Sequence, residues 1–87
     1  MNNITINCTK IESMAVLHNV LARELNFPGW YGRNLDALHD CLSAISEDTQ
    51  LTFLHISALP FPTAGLLRVL RDSESGNPHL EITLVTN

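Results

Sequence analysis

Two aspartates, Asp36 and Asp40, are the residues of this chain whose type and spacing most clearly suggest chemistry. They stand four positions apart in a segment with leucines at 35, 38 and 42. This spacing predicts a helix with the leucines on one side and both carboxylates on the other. Two like charges one helical turn apart repel each other mildly, so helix stability gives no reason to pair them. The pair therefore predicts a surface that receives a positively charged partner.

The distribution of charge supports this interpretation. Nine acidic side chains against five Lys and Arg give a formal net charge of −4. Residues 34–48 contain Asp36, Asp40, Glu47 and Asp48 and no Lys or Arg, so the whole net charge falls in this segment. Such a local negative field attracts basic partners and argues against direct binding of nucleic acid. Alternatively, these acids bind no partner and are only a solvated helix face followed by an acidic loop.

Two adjacent aromatic residues, Trp30 and Tyr31, precede the predicted helix. Neighbouring residues in a loop cannot easily both be buried, so we expect one ring to anchor the loop to the core and the other to be exposed. An exposed Trp or Tyr beside a pair of carboxylates has the composition of a binding hot spot. The alternative is that the aromatic pair only pins the loop.

Metal binding and catalysis are weakly supported by the remaining residues. His39, Asp40 and Cys41 are consecutive on the predicted helix, so their side chains point about 100° apart and cannot hold one ion together. The four glycines are dispersed, which excludes a phosphate-binding loop, and there is no Gly-x-Ser-x-Gly motif. The paired carboxylates lie on a predicted exposed face without an evident cleft. We therefore expect no metal, no cofactor and no enzymatic activity.

The elements that must position the acidic helix follow the order β-α-α-β-α-β. Apolar strands that alternate with helices indicate an α/β fold, a three-stranded parallel sheet with helices packed on it, in one domain over residues 1–87. The second strand is mostly apolar, which predicts burial on both of its faces. The predicted strands are 4–6, 51–56 and 80–85, and the predicted helices run from Ser13 to about Asn26, from Asn34 to about Ile45 and from Thr63 to about Ser73.

The two cysteines, Cys8 and Cys41, do not make a disulfide framework. The start of the chain lacks the basic and apolar regions of a signal peptide, and no apolar run is long enough to cross a membrane. These features predict reduced thiols, a cytoplasmic location and no membrane partner.

Residues 31–42, Tyr-Gly-x-Asn-Leu-Asp-Ala-Leu-x-Asp-Cys-Leu, resemble the signature of the barstar family, intracellular inhibitors of the ribonuclease barnase. The first strand, the first helix and the closing strand also align in order. The likeness covers most of the chain, specifically at 27–42 and loosely at 43–78. It implies the barstar fold, a three-stranded parallel sheet with helices packed on it.

The resemblance also implies a function, which is to plug a ribonuclease active site with the acidic helix and the loop before it. A ribonuclease gathers Lys, Arg and His around the scissile phosphate, and carboxylates on a rigid helix can occupy those anion sites. By position, Asp40 matches the family's central aspartate and Asp36 its companion one turn earlier. The partner-binding residues implied by the resemblance are Trp30, Tyr31, Gly32, Asn34, Leu35, Asp36, His39, Asp40, Ser43, Ala44 and Asp72.

Four departures from the family pattern leave the choice of enzyme open. Arg33 replaces an acid in the loop, and His39 and Ile45 stand where the family has tryptophans that contact the enzyme. The segment between the second strand and the third helix is shorter, so we expect one small helix to be missing. The partner is therefore expected to be a basic ribonuclease, either barnase-like or a differently built toxin.

The sequence thus predicts a bacterial, cytoplasmic immunity protein that binds a basic ribonuclease one to one and without a cofactor. A protein of a different class remains as the alternative. In that case the acidic helix docks on a basic regulatory or structural protein and inhibits no enzyme.

Overall fold

The computed structural model describes residues 1–86, which form three parallel strands and three α-helices in the predicted order β-α-α-β-α-β. The α/β fold class is therefore confirmed. Two 3-10 turns, at Cys8–Lys10 and Ile56–Ala58, complete the structure, the second of them in the connection between the second strand and the third helix. The strands are β1 (Asn2–Asn7), β2 (Thr49–Leu54) and β3 (Leu80–Leu84), and the helices are α1 (Met14–Glu24), α2 (Leu35–Ser43) and α3 (Ala64–Gly76).

The strands form one sheet in the spatial order β1-β2-β3, with β2 in the centre and both pairings parallel. The register aligns apolar residues of the three strands in rungs, which place branched side chains side by side on one face. The two apolar rungs are Ile4, Leu51 and Ile82, and Ile6, Phe53 and Leu84.

The central strand is buried on one face only, so the prediction of burial on both faces is wrong. Thr49, Leu51 and Phe53 are buried, while the residues between them are half-buried. Buried leucines of all three helices belong to the same core cluster as Leu51 and Phe53, so the helices cover this one face. The opposite face is polar and open to solvent at Thr5 and Thr83. All three helices pack on one side of the sheet, so the other side faces solvent.

The two ends of α1 show the usual capping patterns of helices, whereas both ends of α3 differ from what the sequence predicts. The Ser13 hydroxyl accepts a hydrogen bond from the Val16 amide at 3.2 Å and caps α1. At the other end, Asn26 is left-handed (φ 56°) and the Phe27 amide donates to the Ala22 carbonyl at 2.9 Å, which is a Schellman ending. The third helix runs to Gly76, beyond the predicted end at Ser73. Its cap position is Thr63 as predicted, but that side chain makes no capping hydrogen bond.

Most of the leucines that helical periodicity places toward the core are buried. Of the leucines predicted on one side of the acidic helix, Leu38 and Leu42 are buried and Leu35 is half-buried. Cys8 is fully buried and Cys41 half-buried, and both are free thiols in the described residues. The fully buried leucines of the helices are Leu17 and Leu21 of α1, Leu38 and Leu42 of α2, and Leu66 and Leu70 of α3.

Candidate functional site

The N-terminus of α2 is held by Asn34, as its position before the leucine stripe predicts. Its backbone is extended and its Oδ1 accepts a hydrogen bond from the Ala37 amide at 2.8 Å. Its Nδ2 donates to the Gly32 carbonyl at 3.4 Å. A Cβ at position 32 would lie 3.3 Å from that nitrogen, so glycine leaves the cap the room it needs. The start of the acidic helix is therefore fixed by residues within five positions of one another.

The C-terminus of α2 is held by Asn77, a residue far away in the sequence. Its side chain is only 4% exposed, and its Nδ2 donates to the carbonyls of Leu42 at 2.9 Å and Ile45 at 3.0 Å. Its Oδ1 accepts a hydrogen bond from the His79 amide at 2.9 Å. The last carbonyls of a helix lack the regular partners within the helix, so this amide supplies a donor to Ile45 and a second, shorter hydrogen bond to Leu42, whose carbonyl also accepts from the Ile45 amide at 3.4 Å. The sequence predicts only a loop at Asn77-Pro78 and gives no signal that it reaches α2.

The carboxylates of Asp36 and Asp40 lie on the exposed side of α2, opposite the buried Leu38 and Leu42. Within residues 1–86, no side chain donates a hydrogen bond or forms an ion pair with either carboxylate. Asp36 lies in the first helical turn, where the helix dipole favours a negative charge. Asp40 is beyond that turn and lacks such stabilisation. Its charge is therefore the one that helix stability explains least.

The other acids of the segment 34–48 have partners inside the protein. The Asp48 Oδ1 lies 2.9 Å from the His79 Nδ1, and the Glu47 carboxylate accepts a hydrogen bond from the Asn2 side chain at 3.3 Å. The negative charge that remains without a partner among the described residues of this segment is thus concentrated on α2.

As predicted, one of the two adjacent aromatic residues is buried and the other is exposed. Tyr31 is 3% exposed, and its ring packs on Phe27 with centroids 4.9 Å apart. Trp30 is 81% exposed. Tyr31 therefore anchors the loop and offers a partner little surface of its own, while Trp30 presents its ring to solvent.

The Tyr31 hydroxyl lies 2.5 Å from Nδ1 of the buried His18 on α1. Burial, with a smaller contribution from Cys41, raises the pKa of Tyr31 to about 12, so the hydroxyl keeps its proton. Burial, and then the charge of Arg33, lowers the pKa of His18. The neutral imidazole can accept a hydrogen bond from the hydroxyl at Nδ1, which ties the loop to α1.

Arg33, the basic residue of the loop, is also bound to α1. Its backbone is left-handed (φ 52°), and its Nε donates to the Asn19 Oδ1 at 2.7 Å. A second donor of the guanidinium reaches the Tyr31 carbonyl at 3.3 Å. The cation thus has acceptors of its own on α1 and in the loop, beside the acidic face.

The structure brings most of the predicted site residues together on α2 and the loop before it. Leu35 and His39 are half-buried; the Leu35 side chain lies against α3, where a Cβ on Gly65 would come within 3.0 Å of it. Asp72 is exposed on α3, which packs against α2. The predicted site residues that are exposed are Trp30, Gly32, Asn34, Asp36, Asp40, Ser43, Ala44 and Asp72.

The expectation that no cleft adjoins the carboxylates is wrong. A groove of about 880 Å³ lies beside α2, and Asp40 and Trp30 both belong to its lining. Residues 1–86 contain no group of three or more His, Cys, Asp or Glu that could hold a metal ion. No helix among them is long and apolar enough to span a membrane.

The fold and this face define a small α/β protein that presents a charged helix and an exposed tryptophan for binding. The chain belongs to the family Barstar (barnase inhibitor), whose sequence model matches residues 1–85. It is also similar to a protein of Bacillus subtilis (strain 168) named "Putative ribonuclease inhibitor YrdF", with 51% identity over 43 residues. That match covers 49% of this chain and 47% of the relative, so it spans about half the length of each.

Proposed function

We propose that this protein inhibits a basic ribonuclease by covering its active site with α2 and the loop of residues 27–34. The observation that carries the proposal is the exposed carboxylate of Asp40, which has no hydrogen-bond or ion-pair partner within residues 1–86 and lies in the same groove lining as the exposed Trp30. Membership of the Barstar family and the name of the Bacillus subtilis relative support it.

The chemistry follows from what a ribonuclease must bind. Its active site stabilises the negative phosphate with Lys, Arg and His, and these cations bind carboxylates by the same charge-assisted hydrogen bonds. Asp36 and Asp40, one turn apart on one helix, would take the places of substrate anions. The inhibitor is a competitor because inhibitor and RNA need the same cations, and it needs no cofactor.

The rigidity of α2 favours tight binding. The helix is fixed at its start by Asn34 and at its end by Asn77, and the preceding loop is fixed to α1 by Tyr31. A surface that is already ordered loses little conformational entropy on binding, so more of the interaction energy contributes to affinity. The exposed ring of Trp30 adds apolar area of the kind that dominates binding hot spots.

We further propose a one-to-one complex in the cytoplasm, where the protein would protect its own cell as an immunity protein. The partner would be a barnase-like ribonuclease or a ribonuclease toxin of different construction. The role of this protein in the complex would be stoichiometric, with one inhibitor molecule covering one active site.

The test is inhibition of barnase and a panel of other basic bacterial ribonucleases by wild type, Asp40→Ala and a control, Glu12→Ala. Removing Asp40 leaves the enzyme's cations buried and unpaired, so binding should weaken by about 2–5 kcal/mol. Both substituted side chains are exposed, so the free energy of unfolding should change by less than about 0.5 kcal/mol.

The Glu12→Ala protein should inhibit like wild type. Full inhibition by Asp40→Ala would refute the phosphate-mimic mechanism. Binding to a basic protein without inhibition of any ribonuclease would favour the docking alternative instead.

A further inference from the structure

The groove beside α2 has an apolar floor, which the binding of cations to Asp36 and Asp40 does not require. It runs between the start of β1, the end of α1 with the loop that follows, and one side of α2. Its floor is apolar and consists of half-buried side chains packed on the core. These floor residues are Ile4, Leu25, Phe27, Ala37, Cys41 and Ile45.

The rim of the groove is acidic. Glu24, Asp40 and Glu47 all belong to its lining, whereas no lining side chain is Lys or Arg. Glu24 and Glu47 are exposed, one at the end of α1 and the other after α2. The Glu24 carboxylate lies 3.3 Å from the Arg23 Nε, and the Glu47 carboxylate accepts a hydrogen bond from the Asn2 side chain at 3.3 Å, so Asp40 is the rim acid without a partner among the described residues. An apolar floor under an acidic rim is complementary to an apolar side chain that has a cation next to it.

The groove is continuous with the face proposed to bind the ribonuclease. Asp40 and Trp30 belong to both, so an enzyme pressed against Asp40 would also lie across the mouth of the groove. The volume of about 880 Å³ is comparable to that of pockets that hold drug-sized ligands, about 300–1,000 Å³. It has room for a short loop as well as for a single side chain. The Trp30 ring can cover such a loop and contact a guanidinium through its π face.

We propose that the groove receives a loop of the same basic ribonuclease, in which an apolar side chain stands beside a Lys or Arg. This inference rests on the proposed function and specifies the partner further. The acidic face recognises phosphate-binding cations, which different ribonucleases share. The groove recognises a surface loop, in which they differ, and would therefore select among them.

The experiment compares two double variants that remove the same charge. Glu24→Gln with Glu47→Gln neutralises the rim, and Glu12→Gln with Glu81→Gln neutralises two exposed acids outside the lining. Affinity is measured for the ribonuclease of the panel that wild type inhibits, at about 0.15 M salt, where distant charges are screened beyond about 8 Å. The rim variant should bind about tenfold more weakly, and the control should stay within about twofold of wild type.

A second measurement reports on the floor directly. Cys41 lines the groove and is half-buried, whereas Cys8 is fully buried. Burial, with a smaller contribution from the neighbouring Asp40, raises the pKa of the Cys41 thiol, so labelling with N-ethylmaleimide is carried out at mildly alkaline pH. The bound ribonuclease should slow labelling of Cys41 at least tenfold. Mass spectrometry of the cysteine peptides distinguishes the two thiols.

The outcomes separate this inference from the proposed function. If Asp40→Ala abolishes inhibition but the rim and control variants bind equally, the groove is not contacted and only the inference is overturned. Labelling of Cys41 at the same rate in the free and bound states would overturn it as well. If wild type inhibits no ribonuclease of the panel, both proposals fail. A selective loss in the rim variant together with protection of Cys41 supports the inference.

Discussion

Replacing Asn77 tests how the fold holds the acidic helix in place. This side chain is 4% exposed and makes hydrogen bonds to the Leu42 and Ile45 carbonyls at 2.9 and 3.0 Å and to the His79 amide at 2.9 Å. The substitution Asn77→Ala removes all three. It also leaves the Ile45 carbonyl without its Asn77 donor, while the Leu42 carbonyl keeps only the longer hydrogen bond from the Ile45 amide at 3.4 Å.

The magnitude follows from these contacts. Each intramolecular hydrogen bond contributes about 1 kcal/mol net, so the loss of three costs about 3 kcal/mol. At roughly 0.05–0.15 kcal/mol per residue, a domain of 87 residues has a free energy of unfolding of about 4–13 kcal/mol. The variant should therefore lose a large fraction of its stability. Its melting temperature should fall by about 12–24 °C, at about 4–8 °C per kcal/mol for a domain of this size.

The assay is urea unfolding followed by far-ultraviolet circular dichroism, with Asn77→Asp as the matched comparison. Asp has the same shape and can still accept from the His79 amide, but it replaces the two donors with a charge that faces helix carbonyls. The negative end of the helix dipole disfavours that charge, so Asn77→Asp should be at least as unstable as Asn77→Ala. A loss below about 1 kcal/mol in Asn77→Ala, or wild-type stability in Asn77→Asp, would refute the capping role.

Two further predictions concern charge. The pKa of His18 is lowered in the folded state, by burial first and by Arg33 second, so the unfolded chain binds more protons at mildly acidic pH. Its contribution to stability is present above the unfolded pKa of about 6.5 and is lost as the pH falls through the folded value. Urea unfolding between pH 8 and 5 should show this slope in wild type and a shallower one in His18→Gln; equal slopes would contradict it. The acids of residues 34–48 should speed association with the basic ribonuclease, so stopped-flow association should slow as salt rises while dissociation changes less. An association rate that does not change with salt would mean that these acids are only solvated and do not attract the ribonuclease.

Short-range patterns were sufficient to predict the helix that carries the candidate site. The cap at Asn34, the buried leucines of α2 and the exposed aspartates all follow from helical periodicity within about ten residues. The order of strands and helices follows for the same reason. The expectation that one aromatic of the loop would be buried and the other exposed also holds, because adjacent side chains in a loop rarely enter the same core.

Contacts between distant segments account for what these patterns missed. Tyr31 is the buried aromatic because its hydroxyl meets His18, 13 positions earlier, and Asn77 caps a helix more than 30 positions before it. The open face of the sheet depends on all three helices packing on one side. The groove depends on β1, α1 and α2 meeting around it. Periodicity reports which side of an element is apolar, but only packing determines which other element that side meets and what space is left between them.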